Sequence, residues 1–304
     1  MNIKKWLVFL LSILIILSLS GCMSSDIGHN RDVQDTHFTL EQDTGVQNKN
    51  DLIVSFIDVG QGDSILVQAP SGKNMLIDAG VPEAGEKVVS YLKSRGVNNI
   101  DILIATHPHS DHIGGLPEVI SSFSIGEIYM PKVSNNTYSF EKLLNSIKRK
   151  GLRVKTARAG IVLNMGKGID ATMLAPNSAY YEDLNNYSVV IKLRYGNTAF
   201  LFTGDSGTVS EREMLKAGYD LSADVMKVGH HGSAYSTSMD FLNAVNPRYA
   251  VISVGKNNDY GHPARVTLNK LRAHHVTVYR TDVNGTIIAI SNGNNISFHF
   301  TKMY

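Results

Sequence analysis

From residue 52 onward the chain alternates short apolar runs, turn-forming residues and segments of helical spacing. Ile53–Val59, Ile65–Val67 and Met75–Ile77 are β-rich, and Gly60-Gln61-Gly62-Asp63 and Ser71-Gly72-Lys73-Asn74 punctuate them, so the pattern predicts an opening meander of strands. Glu83–Arg95 has helical spacing and stops at Gly96, a residue suited to the left-handed turn that ends a helix. Ile102–Ala105 reads as a buried strand, Ile113–Phe123 as a helix, Ile128–Met130 as a strand and Phe140–Lys150 as a helix before Gly151.

The second half repeats the mixture. Strands are expected at Ala171–Leu174, Ser188–Tyr195 and Thr198–Thr203, with Tyr195-Gly196-Asn197 as a hairpin turn. A helix over Val209–Ala217, a strand over Asp224–Val228, a helix over Met239–Val245, a strand over Tyr249–Val254 and a helix over Arg265–His274 follow. Strands at Val276–Tyr279, Thr286–Ile290 and Ile296–Phe300 close the chain. Strand meanders with interspersed helices, occurring twice, predict two packed sheets with helices outside.

The first fifty residues follow a different pattern. Lys4 and Lys5 precede an apolar run from Trp6 to Leu19, and Leu19-Ser20-Gly21-Cys22 comes next. A basic start, a short apolar core and small residues describe a secretory signal. The small residues before the chain's single cysteine resemble a bacterial lipobox, which implies lipidation of Cys22 and attachment to the outer face of the membrane. An uncleaved anchor helix is the alternative, although the run is shorter than the ~20 apolar residues a span prefers. Residues 24–50 are polar and read as a tether. The division is thus a signal segment at 1–22, a tether at 23–50 and one folded domain at 51–304. One cysteine excludes an intramolecular disulfide. A net charge of +2 does not mark the whole chain as a polyanion binder.

The candidate chemistry lies where the apolar strands end. Thr106-His107-Pro108-His109-Ser110-Asp111-His112 holds three of the chain's 11 histidines directly after a strand. His107 and His109 alternate, so an extended backbone points both side chains one way. Asp111 and His112 fall at a helix start. Imidazole and carboxylate suit zinc or a similar transition metal, and two pairs from one loop can serve two ions. Thr203-Gly204-Asp205 and Lys227-Val228-Gly229-His230-His231-Gly232-Ser233 place further donors after two later strands.

In that order, His107-x-His109-x-Asp111-His112, Gly204-Asp205 and Gly229-His230 resemble the motif series of metallo-β-lactamase-fold hydrolases. The segments Ile57-Asp58-Val59-Gly60-Gln61-Gly62-Asp63-Ser64, His107 to Gly115, Asn186 with Ser188, His230-His231-Gly232-Ser233 and Ser253 to Pro263 are more similar still to the metallo-β-lactamase-like domain of the ComEC/Rec2 competence proteins. The resemblance spans about residues 52–290. It implies an α+β fold, the four-layer αββα sandwich, and a hydrolase using two divalent ions, zinc or manganese.

It also implies ligand sets of His107, His109 and Asp205 for one ion, and Asp111, His112, Asp205 and His230 for the other. His230 is preferred to His231 because it follows the strand more directly. Asp111 and His262 are the candidate catalytic residues. Asp63, Asp78, His231, Ser233 and Asn257 are candidates for the surrounding shell or pocket. The broader fold usually supplies another histidine between the first motif and the bridging aspartate, and none occurs from 113 to 229, so one metal position is expected to be weaker. Competence channel proteins carry many membrane helices, whereas this sequence has a single apolar segment and is not expected to form a channel itself.

Substrate is less sharply indicated. From Lys132 to Lys167 nine basic residues face one acid, Glu141, a strip suited to a polyanion such as DNA. Three functions are compatible with the residues: an extracytoplasmic phosphodiesterase or nuclease tied to DNA uptake, a hydrolase of another ester, lactone or β-lactam-like bond, and a non-catalytic lipoprotein that binds DNA or metal.

Overall fold

A computed structural model of the chain describes residues 48–302; the expectations for the signal segment, Cys22 and most of the tether lie outside them. Among the described residues no helix is long and apolar enough to cross a membrane.

The first sheet begins with β1 (Leu52–Phe56), β2 (Ile65–Gln68), β3 (Asn74–Ile77) and β4 (Asn99–Ile104), with α1 (Gly85–Ser94) between the last two. A short α2 (Ser110–Ile113) and α3 (Leu116–Ser122) lead to β5 (Ser124–Met130), and α4 (Tyr138–Arg149) to β6 (Val154–Thr156). The second sheet takes β7 (Val162–Leu163), β8 (Ile169–Ala175), β9 (Val190–Tyr195), β10 (Thr198–Phe202), α5 (Thr208–Lys216) and β11 (Val225–Lys227). It continues through α6 (Met239–Val245), β12 (Tyr249–Ile252), α7 (Arg265–Ala273) and β13 (Thr277–Arg280). After α8 (Thr281–Asn284), β14 (Ile287–Ser291) and β15 (Ile296–Phe300) return to the first sheet. The orders are β15-β14-β1-β2-β3-β4-β5-β6 and β13-β12-β11-β10-β9-β8-β7.

Alternation along the strands builds the layers. Ile65, Val67, Met75, Ile77, Ile102 and Ile104 face Met173, Ile191, Leu193, Phe200, Phe202 and Val251 in a core between the sheets. The intervening Leu66, Leu76 and Leu103 turn outward onto Val88 and Leu92 of α1, Val119 of α3 and Leu143 of α4. On the other side Leu201, Met226, Ala250 and Ile252 meet Met214 of α5, Phe241 and Leu242 of α6 and Leu271 of α7. The result is the αββα sandwich. Phe56 and Phe202 meet across the sheets with ring centroids 6.2 Å apart, and burying each such side chain contributes roughly 1.5–3 kcal/mol.

Some boundaries differ from the sequence reading. The expected helix over Ile113–Phe123 is α2 and α3 joined at Gly114-Gly115, where the chain packs so closely that a Cβ at Gly115 would meet the Ala79 carbonyl oxygen at 2.3 Å. Strand β6 was not anticipated: Val154, Lys155 and Thr156 are all exposed, so no alternation betrays it, and its pairing to β5 alone makes it an edge.

Parallel pairing decides where the chemistry collects. β3, β4 and β5 run parallel in the first sheet, and β10, β11, β12 and β13 in the second. The chain leaves β3 at Asp78, β4 just before His107, β10 just before Asp205 and β11 just before His230. Carboxyl ends of parallel strands are where such folds place ligands.

Candidate metal centre

Four donor groups converge at this edge. One ligand atom each from Asp111, His112, Asp205 and His231 lie within 4.8 Å of one another. His112 Nε2 is 3.2 Å and His231 Nε2 3.3 Å from Asp205 Oδ2, and His231 Nε2 is 3.2 Å from Asp111 Oδ2. His107 and His109 flank this group: His107 Nε2 is 3.9 Å from Asp205 Oδ2 and 3.1 Å from His109 Nδ1.

The ring orientations are set from behind. His112 Nδ1 donates to Asp78 Oδ2 at 2.8 Å, since a carboxylate only accepts. Thr106 gives Asp78 its backbone N–H at 2.8 Å and its hydroxyl at 2.6 Å, and that hydroxyl oxygen lies 3.1 Å from His107 Nδ1. His231 Nδ1 donates to the Ser253 carbonyl at 2.8 Å. His112 and His231 therefore both turn Nε2 forward, and neither of these buried atoms has an aligned hydrogen-bond partner. Buried polar atoms are ordinarily satisfied. Two unmatched imidazole nitrogens beside two carboxylates, each ring held by a partner on its other nitrogen, are what a divalent cation requires.

Electrostatics agree with that use. Burial disfavours charge on His112, but Asp205, Asp78 and Asp111 overcome it and hold its pKa well above the usual imidazole value. Burial likewise opposes charge on His231, yet Asp205 and Asp111 push it up to about 9. Burial would raise Asp205 and Asp111, but the paired histidines hold both carboxyls well below the ordinary range. His107 is driven the other way, chiefly by burial and by neighbouring His112.

The preference for His230 over His231 is reversed by geometry. Residues 229–232 form a tight turn in which His230 and His231 have φ of 48° and 52°, so alternation after β11 does not apply. His231 goes into the buried cluster. His230 stays partly exposed, with Nε2 3.8 Å from Asp205 Oδ2, and packs edge-on against His262 at 5.4 Å. Together with Gln61, Val81, His109, Ser110, Asp111, Asp205, His231 and Tyr260, these two rings line a cavity of about 390 Å³.

Other expected residues take varied places. Asp63 sits behind the cluster, 3.5 Å from His231 Nδ1. Its loop is pressed so closely on Asp111 that a Cβ at Gly62 would lie 2.0 Å from the Asp111 carbonyl oxygen. Ser233 is buried outside the cavity, its hydroxyl accepting from the Tyr235 backbone N–H at 3.2 Å, so it shapes the turn rather than the pocket. Asn257 is exposed and outside the cavity. Its neighbour Asn258 instead ties the loop, accepting from His262 N at 3.0 Å and donating to His262 O at 2.6 Å.

Two features escaped sequence reasoning. Tyr260 lies parallel to His262 at 5.9 Å on the cavity rim, and its adjacency to His262 was the available signal. Lys227 is fully buried, with Nζ 2.6 Å from Asp63 Oδ2 and 3.6 Å from Asp205 Oδ1. Its position one strand residue before the Val-Gly-His-His segment carries no signal in a single sequence.

ComE operon protein 3 of Bacillus subtilis (strain 168) is 35% identical over 251 residues, covering 77% of this chain and 32% of that protein. Competence protein ComA of Neisseria gonorrhoeae is 33% identical over 241 residues, covering 79% and 32%. The chain thus spans about a third of the length of these relatives. Among solved structures, the metallo-beta-lactamase fold protein YhfI from Bacillus subtilis superposes with a TM-score of 0.53 at 12% identity, covering 79% of this chain and 100% of that one. The diiron beta-hydroxylase CmlA from Streptomyces venezuelae gives 0.52 at 17% identity, covering 75% and 52%. With residues 57–256 matched by the model of the metallo-beta-lactamase superfamily, and the Asp/His cluster inside that span, the chain belongs to that superfamily.

Proposed function

We propose that this protein is a metal-dependent phosphodiesterase that cleaves nucleic acid, with two divalent ions, zinc or manganese, at the cluster. The observation that carries the reading is the convergence of Asp111, His112, Asp205 and His231, of which Asp111, Asp205 and His231 line a cavity together with two further imidazoles, His230 and His262. His107 and His109, with Asp205 Oδ2, are the donors for the second ion. Bound ions would supply Lewis-acid activation of a phosphoryl oxygen and of a water molecule.

The chain's own residues complete the chemistry. Asp111, held ionised by His112 and His231, can accept a hydrogen bond from the attacking water and orient it. Burial lowers the pKa of His230 and His262, so both rings are neutral at pH 7 and each presents an N–H to a phosphate oxygen or a leaving group. Tyr260, 69% exposed at the rim, offers a face for a base or sugar. Kinship with proteins named for competence, and with Recombination protein 2 of Haemophilus influenzae, favours nucleic acid over a β-lactam or a small ester.

The basic strip bears on substrate in a particular way. Ser139 near the start of α4 meets Ser110 at 2.7 Å, beside the cavity. Lys148, Arg149 and Lys150 lie at the other end of this helix, about 14–17 Å away. They would hold flanking polyanion rather than the scissile phosphate. We also propose that the protein is extracytoplasmic and attached through lipidated Cys22, from the basic-apolar-small pattern of residues 4–22.

The test loads the purified protein with manganese or zinc and assays single- and double-stranded DNA, a bis-aryl phosphodiester, a carboxyl ester and a β-lactam in parallel. Phosphodiester cleavage lost in the His109→Ala/Asp111→Ala control supports the reading, and activity confined to the β-lactam or ester overturns it. Fatty-acid labelling in cells, abolished by Cys22→Ala, tests the anchor.

A further inference from the structure

Lys227 ends β11 with its side chain 0% exposed, a costly place for an ammonium unless every N–H finds an acceptor. Two of its three N–H groups find acceptors at hydrogen-bond distance, Asp63 Oδ2 at 2.6 Å and the Gly204 carbonyl at 2.9 Å, and Asp205 Oδ1, which has no hydrogen-bond partner of its own, lies 3.6 Å from the ammonium. Four acidic side chains, Asp63, Asp78, Asp111 and Asp205, crowd this end of the sandwich. Among the described residues Lys227 is the sole lysine or arginine within 4.0 Å of any of their carboxylates.

Two details show what the ammonium does there. Atoms of Asp63, Asp78 and His112 lie within 4.8 Å of one another, a second group able to hold a cation. Its Asp63 oxygen is already engaged by Lys227. Asp205 is also used asymmetrically. The close approaches of His107, His112, His230 and His231 are all to Oδ2, at 3.9, 3.2, 3.8 and 3.3 Å, while Oδ1 lies toward Lys227. The Asp205 backbone N–H is fixed separately by the Ser188 hydroxyl at 3.0 Å.

We propose that Lys227 is a built-in cation that takes the place of a metal ion behind the site, holds the carboxylates together before metal arrives, and turns Asp205 so that Oδ2 alone faces the incoming ions. Lys227 is thus a positioning residue. The inference rests on the metal-site half of the proposed function and is independent of the substrate. A chain without this ammonium has an excess of buried negative charge that bound metal can offset, so its folding becomes metal-dependent.

The experiment compares thermal melting of the full chain, metal-stripped and manganese-loaded, for wild type, Lys227→Met and Asp63→Asn/Lys227→Met. The metal-stripped Lys227→Met protein is expected to melt about 10 °C lower than stripped wild type, with the loaded forms much closer together. Asp63→Asn/Lys227→Met, which removes one negative charge with the positive one, is expected to recover part of the stripped protein's loss. Equal losses in stripped and loaded forms, or no recovery in the double variant, would overturn the proposal, because a lysine that only fills space has no reason to distinguish them. If Lys227→Met fails to fold without metal, refolding in manganese provides the same decision: recovery supports the inference and failure overturns it. No substrate enters these readouts, so failure to cleave nucleic acid leaves them unaffected.

Discussion

His112 gives one ring nitrogen to Asp78 and keeps the other for the site: Nδ1 lies 2.8 Å from Asp78 Oδ2, while Nε2 stands 3.2 Å from Asp205 Oδ2. Asp78 never reaches the cavity. Its effect on metal passes through the ring it orients and through Thr106, which links it to His107. Replacing Asp78 by Asn is therefore expected to weaken metal binding by about 10- to 100-fold while leaving every proposed ligand in place. Competition with a chromophoric chelator measures this directly.

His231→Ala and His230→Ala are expected to separate cleanly. His231 is buried in the four-residue cluster, so its loss removes a donor and leaves Asp111 and Asp205 facing each other without it. His230→Ala should keep its metal and lose activity through substrate contact. Metal content by atomic emission, alongside kcat and KM, distinguishes the two, and equal metal loss in both variants would contradict the assignment.

Metal uptake should release protons at neutral pH. In the metal-free protein His231 titrates at about 9, so near pH 7 it is protonated and must lose that proton to become a ligand. Apparent metal affinity is expected to rise with pH as His231 and His112, whose pKa is also held well above the usual imidazole value, give up their protons. The stability of the metal-free protein should run the other way. A folded pKa of about 9 against an unfolded one near 6.5 contributes stability that is complete below pH 6.5 and lost as pH rises through 9. Calorimetric titration in buffers of different ionisation enthalpy, and melting temperature against pH, check the two halves.

The two ions should bind unequally. Asp111, His112, Asp205 and His231 are assembled within 4.8 Å, whereas the other position has His107, His109 and a shared Asp205 oxygen 3.9 Å from His107 Nε2. One equivalent of metal is expected to bind more tightly than the second. An isothermal titration with two equal, tight sites would count against it.

Gly62→Ala should damage the site from a distance. Gly62 has φ of 124°, and an added Cβ would lie 2.0 Å from the Asp111 carbonyl oxygen, a backbone atom that cannot swing aside. A loss of about 3 kcal/mol or more in urea unfolding is expected, together with weaker metal retention from a displaced Asp111.

The local pattern carried a large part of this structure. The apolar runs Ile65–Val67 and Met75–Ile77 marked strands by local composition alone, whereas the tertiary structure decided that Ile65, Val67, Met75 and Ile77 face the other sheet and Leu66 and Leu76 the helices. The His107–His112 motif and Asp205 were readable because each stands at the end of an apolar run, and Asp78 through the family resemblance. What needed tertiary structure was whatever depends on an irregular backbone or a distant partner. His231 rather than His230 reaches the cluster because both residues adopt positive φ in one turn, which no alternation foretells. Asn258 rather than Asn257 ties the His262 loop for the same kind of reason. Lys227 reads as an ordinary strand residue. It becomes the buried counter-charge of the site once β11 stands beside β10 and the loop carrying Asp63 closes over its end, a juxtaposition of residues 164 positions apart that composition and spacing do not encode.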